Sequence, residues 1–122
     1  MTYGRSIRNK GAYYEQIAAA YLSKCLGYDI LELNFKSRFG EIDIIAKDGE
    51  YLVFVEVKYR DNSQHGMPEE FCDLKKQRKI VSSARVFMLK SHSDLDVPIR
   101  FDVVSILGDK IKVIKDAFWS SI

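Results

Sequence analysis

Glu41, Asp43, Glu56 and Lys58 interrupt the most hydrophobic run of the chain, EIDIIAKDGEYLVFVEVKYR, residues 41–60. Three carboxylates and an ammonium group gathered in one place could hold a divalent cation. Carboxylate oxygens are hard ligands that suit Mg²⁺ or Mn²⁺, with water and a substrate phosphate completing the shell. A lysine beside such an ion meets the charge that develops on a phosphate oxygen. The competing reading is a solvated sheet face whose acids and lysine point into water. Val53, Val55 and Val57 fill one face of the run's second half, while Ile45, Leu52 and Phe54 share the other with the acids. Apolar residues on both faces argue that both are covered, which disfavours the solvated reading.

The turn between the two halves has to position these groups. Asp48-Gly49 is the strongest hairpin signal in the chain. Taken as a two-residue loop, it sets Lys47 opposite Glu50, Glu41 opposite Glu56 and Asp43 opposite Phe54. Residues two apart in a strand share a face, so Glu41, Asp43, Glu56 and Lys58 fall on one side of the sheet. Asp43 and Glu56 become diagonal neighbours, roughly 7–8 Å apart at the backbone, and their carboxylates can converge. Like charges so placed repel, and partial burial raises the cost. One lysine cannot offset three acids; a divalent cation would.

The remaining elements frame this hairpin. Residues 1–10 are polar and basic and are expected to be loose. From Gly11 to Leu26, Tyr14, Ile17, Ala18, Tyr21, Leu22 and Cys25 recur at helical spacing, and Gly27 is a stop signal. YDILELNFK reads as a strand and SRFG as a loop. The hairpin strands follow, 41–47 and 51–59. DNSQHGMP, residues 61–68, is turn-forming. A second helix is expected from Glu69 to about Lys90, with Leu74, Ile80, Val81, Ala84, Phe87 and Met88 as its apolar stripe. SHSDLDVP is a loop, and IRFDVVSIL and KIKVIKDAF are strands joined by Gly108-Asp109. The order α-β-β-β-α-β-β predicts an α/β domain over residues 1–122, with a central mixed five-stranded sheet flanked by helices.

A chain of 122 residues suggests one domain, large enough to bury a core without staples. Its 47% hydrophobic and 30% charged residues suit a soluble globular protein and exclude a disordered one. Cys25 and Cys72 form no CxxC pair, which argues against a disulfide framework or a zinc site. No apolar leader or membrane-spanning run is visible, so a cytoplasmic location is expected. The net charge of +2 says little, but Arg5, Arg8 and Lys10 form one basic cluster and Lys75, Lys76, Arg78 and Lys79 another. Basic clusters are usually solvated surface; two together suit a phosphate backbone.

Asp43, followed at a distance by Glu56-Val57-Lys58, resembles the PD-(D/E)XK nuclease signature, with Ile42 in place of its leading proline. GAYYEQIAAAYL, NFKSRFGEIDIIAKDGEYLVFVEVKYR, KKQRKIVSSARVFML and RFDVVSI resemble the YraN-like family of small bacterial proteins. Its members are predicted endonucleases related to Holliday junction resolvases. The resemblance covers nearly the whole chain. It implies a restriction-endonuclease-like core, with Asp43 and Glu56 binding Mg²⁺ and Lys58 positioning or activating the attacking water. It also implies that Glu15, on the first helix, completes the metal set. Glu41 belongs to the family's GEID pattern.

Helical spacing places Glu15 at the edge of the first helix's stripe, from where it can point along the sheet. Gln77 falls inside the second helix's stripe, where a glutamine needs polar partners, either at the site or in a structural hydrogen bond. Arg60 follows Lys58 and could contact phosphate. Asp102 reads as structural, pairing with Arg100 or Lys112, and Phe118 and Trp119 as cover for a sheet edge. His65 and His92 read as surface loop residues. The expected activity is metal-dependent hydrolysis of phosphodiester bonds in DNA, including branched or structured DNA, with nucleic acid as partner. The alternative is a non-catalytic nucleic-acid-binding module on the same fold. Symmetric cutting of two strands would call for a homodimer, because one chain carries one candidate site.

Overall fold

The first helix, α1, runs from Lys10 to Leu26 in a computed structural model that describes residues 10–61, 73–91 and 96–118. Ala18, Ala19 and Leu22 are its buried face, with Tyr14 and Ile17 packed alongside. Cys25, expected on this stripe, is exposed in the last turn of the helix. Gly27 ends the helix at φ +76°, where a side chain would be strained; its N–H bonds to the Ser23 carbonyl and that of Tyr28 to Leu22.

The strands are β1 (Asp29–Ser37), β2 (Gly40–Asp48), β3 (Tyr51–Arg60), β4 (Ile99–Leu107) and β5 (Lys110–Phe118), and α2 (Leu74–Lys90) lies between β3 and β4. They form one five-stranded sheet in the order β1-β2-β3-β4-β5. All neighbours are antiparallel except β3 and β4, which are parallel. A parallel pair needs a crossover, and α2 supplies it. The result is the expected α/β architecture, a mixed sheet flanked by helices in the restriction-endonuclease-like arrangement. No helix among the described residues is long and apolar enough to cross a membrane.

Each helix covers one face. On the α1 side Ala18, Leu22 and Tyr28 pack on Ile44, Ala46, Val53, Val55, Val57, Val104 and Ile106. On the other, Ile80, Ala84 and Met88 of α2 pack on Phe35, Ile42, Ile45, Leu52, Phe54 and Phe101. β3 lies in the middle and is buried without a break from Leu52 to Val57, which explains its run of valines and aromatics. Asp73 caps α2, accepting from the Lys76 N–H at 2.8 Å. Residues 69–72, where the helix was expected to begin, lie outside the described residues. Leu74, assigned to the apolar stripe, is 66% exposed in the first turn of α2.

The β2–β3 register differs from expectation by two residues. Asp48 pairs with Tyr51, Lys47 with Leu52 and Ile45 with Phe54, so the loop is Gly49-Glu50. Asp48 is kept in the strand by a long-range partner: Arg100 donates to its Oδ2 at 2.8 Å. Arg100 also binds Asp102 through Nε (2.9 Å) and a terminal nitrogen (2.9 Å). Asp102 is fully buried and accepts from the Tyr28 hydroxyl at 2.8 Å and from the Asp116 N–H at 3.0 Å. This network ties the α1–β1 junction, the hairpin turn and β4 to a bulge in β5, where Asp116 has φ +56°. Phe118 stacks on Phe101 at the β5 edge, 4.9 Å between centroids. Trp119, His65, His92, Arg5 and Arg8 lie outside the described residues.

Candidate metal centre

The β2–β3 ladder stops at Ile44 and Val55. Beyond it the Val57 N–H bonds to the Asp43 carboxylate instead, Oδ2 at 2.8 Å. The side-chain alternation of β2 also breaks here. Ile42 belongs to the α2-side core and Ile44 to the α1-side core, although residues two apart would normally share a face. The expectation that Glu41, Asp43, Glu56 and Lys58 share one face is corrected accordingly. Asp43 stands where the strands part, meeting Glu15 from α1 on one side and Glu56 on the other.

Ligand oxygens of Glu15, Glu41 and Asp43 all lie within 4.8 Å of one another. α1 delivers Glu15 and β2 delivers Glu41 and Asp43. One Glu15 oxygen, Oε1, is buried with no hydrogen-bond partner. Burial pushes the Asp43 carboxyl up to about 10, reinforced by its contact with Glu56 and the charge of Glu15 and opposed by the Val57 N–H. Glu15 is raised as well, first by burial and then by the charges of Glu41 and Glu56, while contacts with Asp43 and Asn34 act against the shift. The cluster cannot carry all its charges at neutral pH without compensation. A divalent cation is the fitting compensation: the donors are all hard oxygens, and a buried one is left over. Glu15, Glu41 and Asp43 can therefore hold a metal ion.

Glu56 is 4% exposed and is compensated differently. Lys58 Nζ lies 3.5 Å from its Oε2 and Lys76 Nζ 3.1 Å from the same atom. The site thus has an acidic half and a cationic half, joined through the Asp43–Glu56 contact. Tyr14, beside Glu15, stacks on Tyr59, beside Lys58, at 4.3 Å between centroids. That stack seats the start of α1 against the end of β3 and fixes the distance between the two halves.

The residues singled out from the sequence are distributed unevenly around this centre. Glu15, Glu41, Asp43, Glu56 and Lys58 are brought together. Gln77 lines a cavity of about 390 Å³ with Leu74, Val81 and Phe118. Arg78 lines the same cavity. Lys75 and Lys79 are exposed on α2, Lys10 pairs with Asp61 at 3.3 Å, and Arg60 ends β3.

Two contributions escape sequence reasoning. Lys76, assigned to a general basic surface, reaches Glu56. Asn34 has φ +54° within β1 and contacts Glu15. It falls between Leu33, paired with Ile44, and Phe35, paired with Ile42, which sets it across from Asp43. The available signal was its type, since asparagine is among the residues that tolerate the left-handed region.

The pattern of the family described as "Uncharacterised protein family UPF0102" matches residues 14–106, a span that contains Glu15, Glu41, Asp43, Glu56, Lys58 and Lys76. A UPF0102 protein of Lachnoclostridium phytofermentans is 48% identical over 109 residues, covering 89% of this chain and 92% of its own. One from Persephonella marina is 47% identical with the same coverage, and one from Syntrophus aciditrophicus is 46% identical over 112 residues, 88% of this chain and 87% of its own. With the match spanning α1 to β4 and the relatives aligned over nearly their full length, the chain belongs to the UPF0102 (YraN-like) family.

Proposed function

We propose that this protein is a metal-dependent endonuclease that hydrolyses phosphodiester bonds in DNA. The observation that carries the reading is the meeting of Glu15, Glu41 and Asp43, ligand oxygens within 4.8 Å, beside the Glu56–Lys58–Lys76 group. A divalent ion, Mg²⁺ or Mn²⁺, supplies charge neutralisation and polarises a phosphate oxygen. Asp43 presents one edge to the acidic half and is held in place by the Val57 N–H. Glu56 orients the ammonium groups of Lys58 and Lys76. Their positive charge borders the acids, where hydrolysis of a phosphodiester builds negative charge on oxygen. Lys75, Lys79 and Arg78 extend the cationic surface along α2, towards a polyanionic backbone.

The test is direct. Purified protein is incubated with labelled linear, flapped and four-way DNA, and with RNA, in Mg²⁺, Mn²⁺ or EDTA. Cutting that requires the metal and is lost in Lys58→Ala and Asp43→Asn is the expected result. Binding without cutting, unchanged in both variants, would leave a nucleic-acid-binding module instead.

A further inference from the structure

The β1–β2 turn presents an aromatic side chain that the fold does not use. Phe39 is 40% exposed and belongs to neither core. Its backbone, by contrast, is tightly held. Ser37 Oγ accepts from the Phe39 N–H at 3.1 Å, donates to the Gly40 carbonyl at 3.3 Å and shares a 2.8 Å hydrogen bond with Ser83 Oγ on α2. Gly40 has φ +148°, and a Cβ there would lie 3.6 Å from Lys79 Cβ and 3.9 Å from Ser83 Oγ. The turn is thus docked on α2, and the backbone that carries Phe39 is held.

Its surroundings are cationic. The Arg38 guanidinium lies 4.8 Å over the centre of the Phe39 ring. Lys79 adjoins the turn from α2, and Lys36 is the register partner of Glu41. Glu41, one of the three acids of the candidate centre, comes two residues after Phe39. One short segment therefore carries an aromatic face, positive charge and part of the acidic centre.

An exposed aromatic ring on a held turn, among cations, is what a nucleobase stacks on. In a continuous duplex each base face is already covered by its neighbours, so the ring gains nothing there. An unpaired base has a free face. Resting on the nuclease reading above, we propose that Phe39 stacks on an unpaired nucleotide beside the bond to be cut. Arg38 and Lys79 take the adjoining phosphates. The preferred substrate is then DNA with a single-stranded segment, such as a flap or a fork, over continuous duplex.

Binding of the full chain is measured in EDTA on three labelled DNAs: a single strand, a duplex with a single-stranded flap, and a continuous duplex. A 2-aminopurine is placed at the flap junction. Phe39→Ala is expected to lose about tenfold in affinity for the single strand and the flap, and no more than about twofold for the duplex. Phe39→Trp is expected to keep the affinity, and 2-aminopurine emission to be quenched by wild type and Phe39→Trp but not by Phe39→Ala. Equal losses on all three DNAs, or none, overturn the proposal. If that happens while wild type still binds and cuts with metal, stacking falls and the nuclease reading stands. If wild type neither binds nor cuts any of the three, both fall.

Discussion

Lys76, on α2, lies 3.1 Å from the Glu56 carboxylate, closer than Lys58, which stands two residues along Glu56's own strand at 3.5 Å. A buried acid is thus neutralised from two elements, and the crossover helix is part of the site as well as a cover for the sheet. Replacing Lys76 with alanine leaves Glu56 with one cation. Cleavage is expected to fall on the order of tenfold. Stability should drop by less than about 1 kcal/mol, because Lys76 is half exposed and the pair is screened. Single-turnover cleavage and urea unfolding check the two effects separately.

Asp43 is held among carboxylates at a cost to the metal-free fold. Asp43→Asn removes an ionisable carboxyl that burial disfavours and retains an oxygen to accept from the Val57 N–H. The variant should be more stable than wild type in EDTA, by about 0.5–2 kcal/mol. Mn²⁺ should raise the melting temperature of wild type, since a ligand that binds the native state stabilises it. In the variant that rise should vanish. Differential scanning calorimetry with and without Mn²⁺ measures both.

Asn34 combines an unusual backbone with a useful side chain, and the two can be separated. Asn34→Gly accepts φ +54° and loses only the contact with Glu15. Its folding stability should stay close to wild type while Mn²⁺ affinity falls about tenfold, as for partners that orient a metal ligand. Asn34→Ala should lose both affinity and stability. Isothermal titration and chemical denaturation read out the pair.

Acid should loosen the Arg100 network. The hydrogen bond from Arg100 holds the Asp48 carboxyl below its ordinary value, against partial desolvation. A folded-state value below the unfolded one stabilises the protein at higher pH, and that gain is lost as pH falls through the folded value. The contribution is therefore present above about pH 4 and disappears below it. Asp48→Asn should flatten the stability profile in that acidic window and leave its shape unchanged near neutrality. Denaturant midpoints across pH 2.5–7, a range of about five units spanning the carboxylate values, test this.

Much of this molecule was legible from residue order. Hydrophobic spacing located both helices and all five strands, and the misfit of Asp43 and Glu56 among valines marked the site. The register was not legible, because a local turn rule assigned Asp48 to the loop. The residue that keeps it in the strand, Arg100, lies far along the chain. A two-residue slide alone would preserve strand faces, but the alternation of β2 breaks between Ile42 and Ile44, and Asp43 meets Glu56 and Glu15 where the strands part rather than on one common face. Helical angle set Gln77 inside the stripe and left Lys76 with the basic cluster, yet Lys76 reaches Glu56, because a long side chain bridges what an angle does not. Leu74 and Cys25 show the same limit in the terminal turns of their helices, where helical spacing continued but burial did not.

The parallel pairing of β3 with β4 divides the centre between a consecutive segment and a crossover. α1, β1, β2 and β3 are consecutive, and their antiparallel contacts close short loops; the β3–β4 ladder closes one that contains the whole of α2. Longer closures cost more chain entropy. Glu15, Glu41, Asp43, Glu56 and Lys58 all ride on the consecutive segment, whereas Lys76 comes with the crossover. The acids and their first counter-charge thus belong to one continuous segment, and the docking of α2 is what completes the electrostatic balance of the centre.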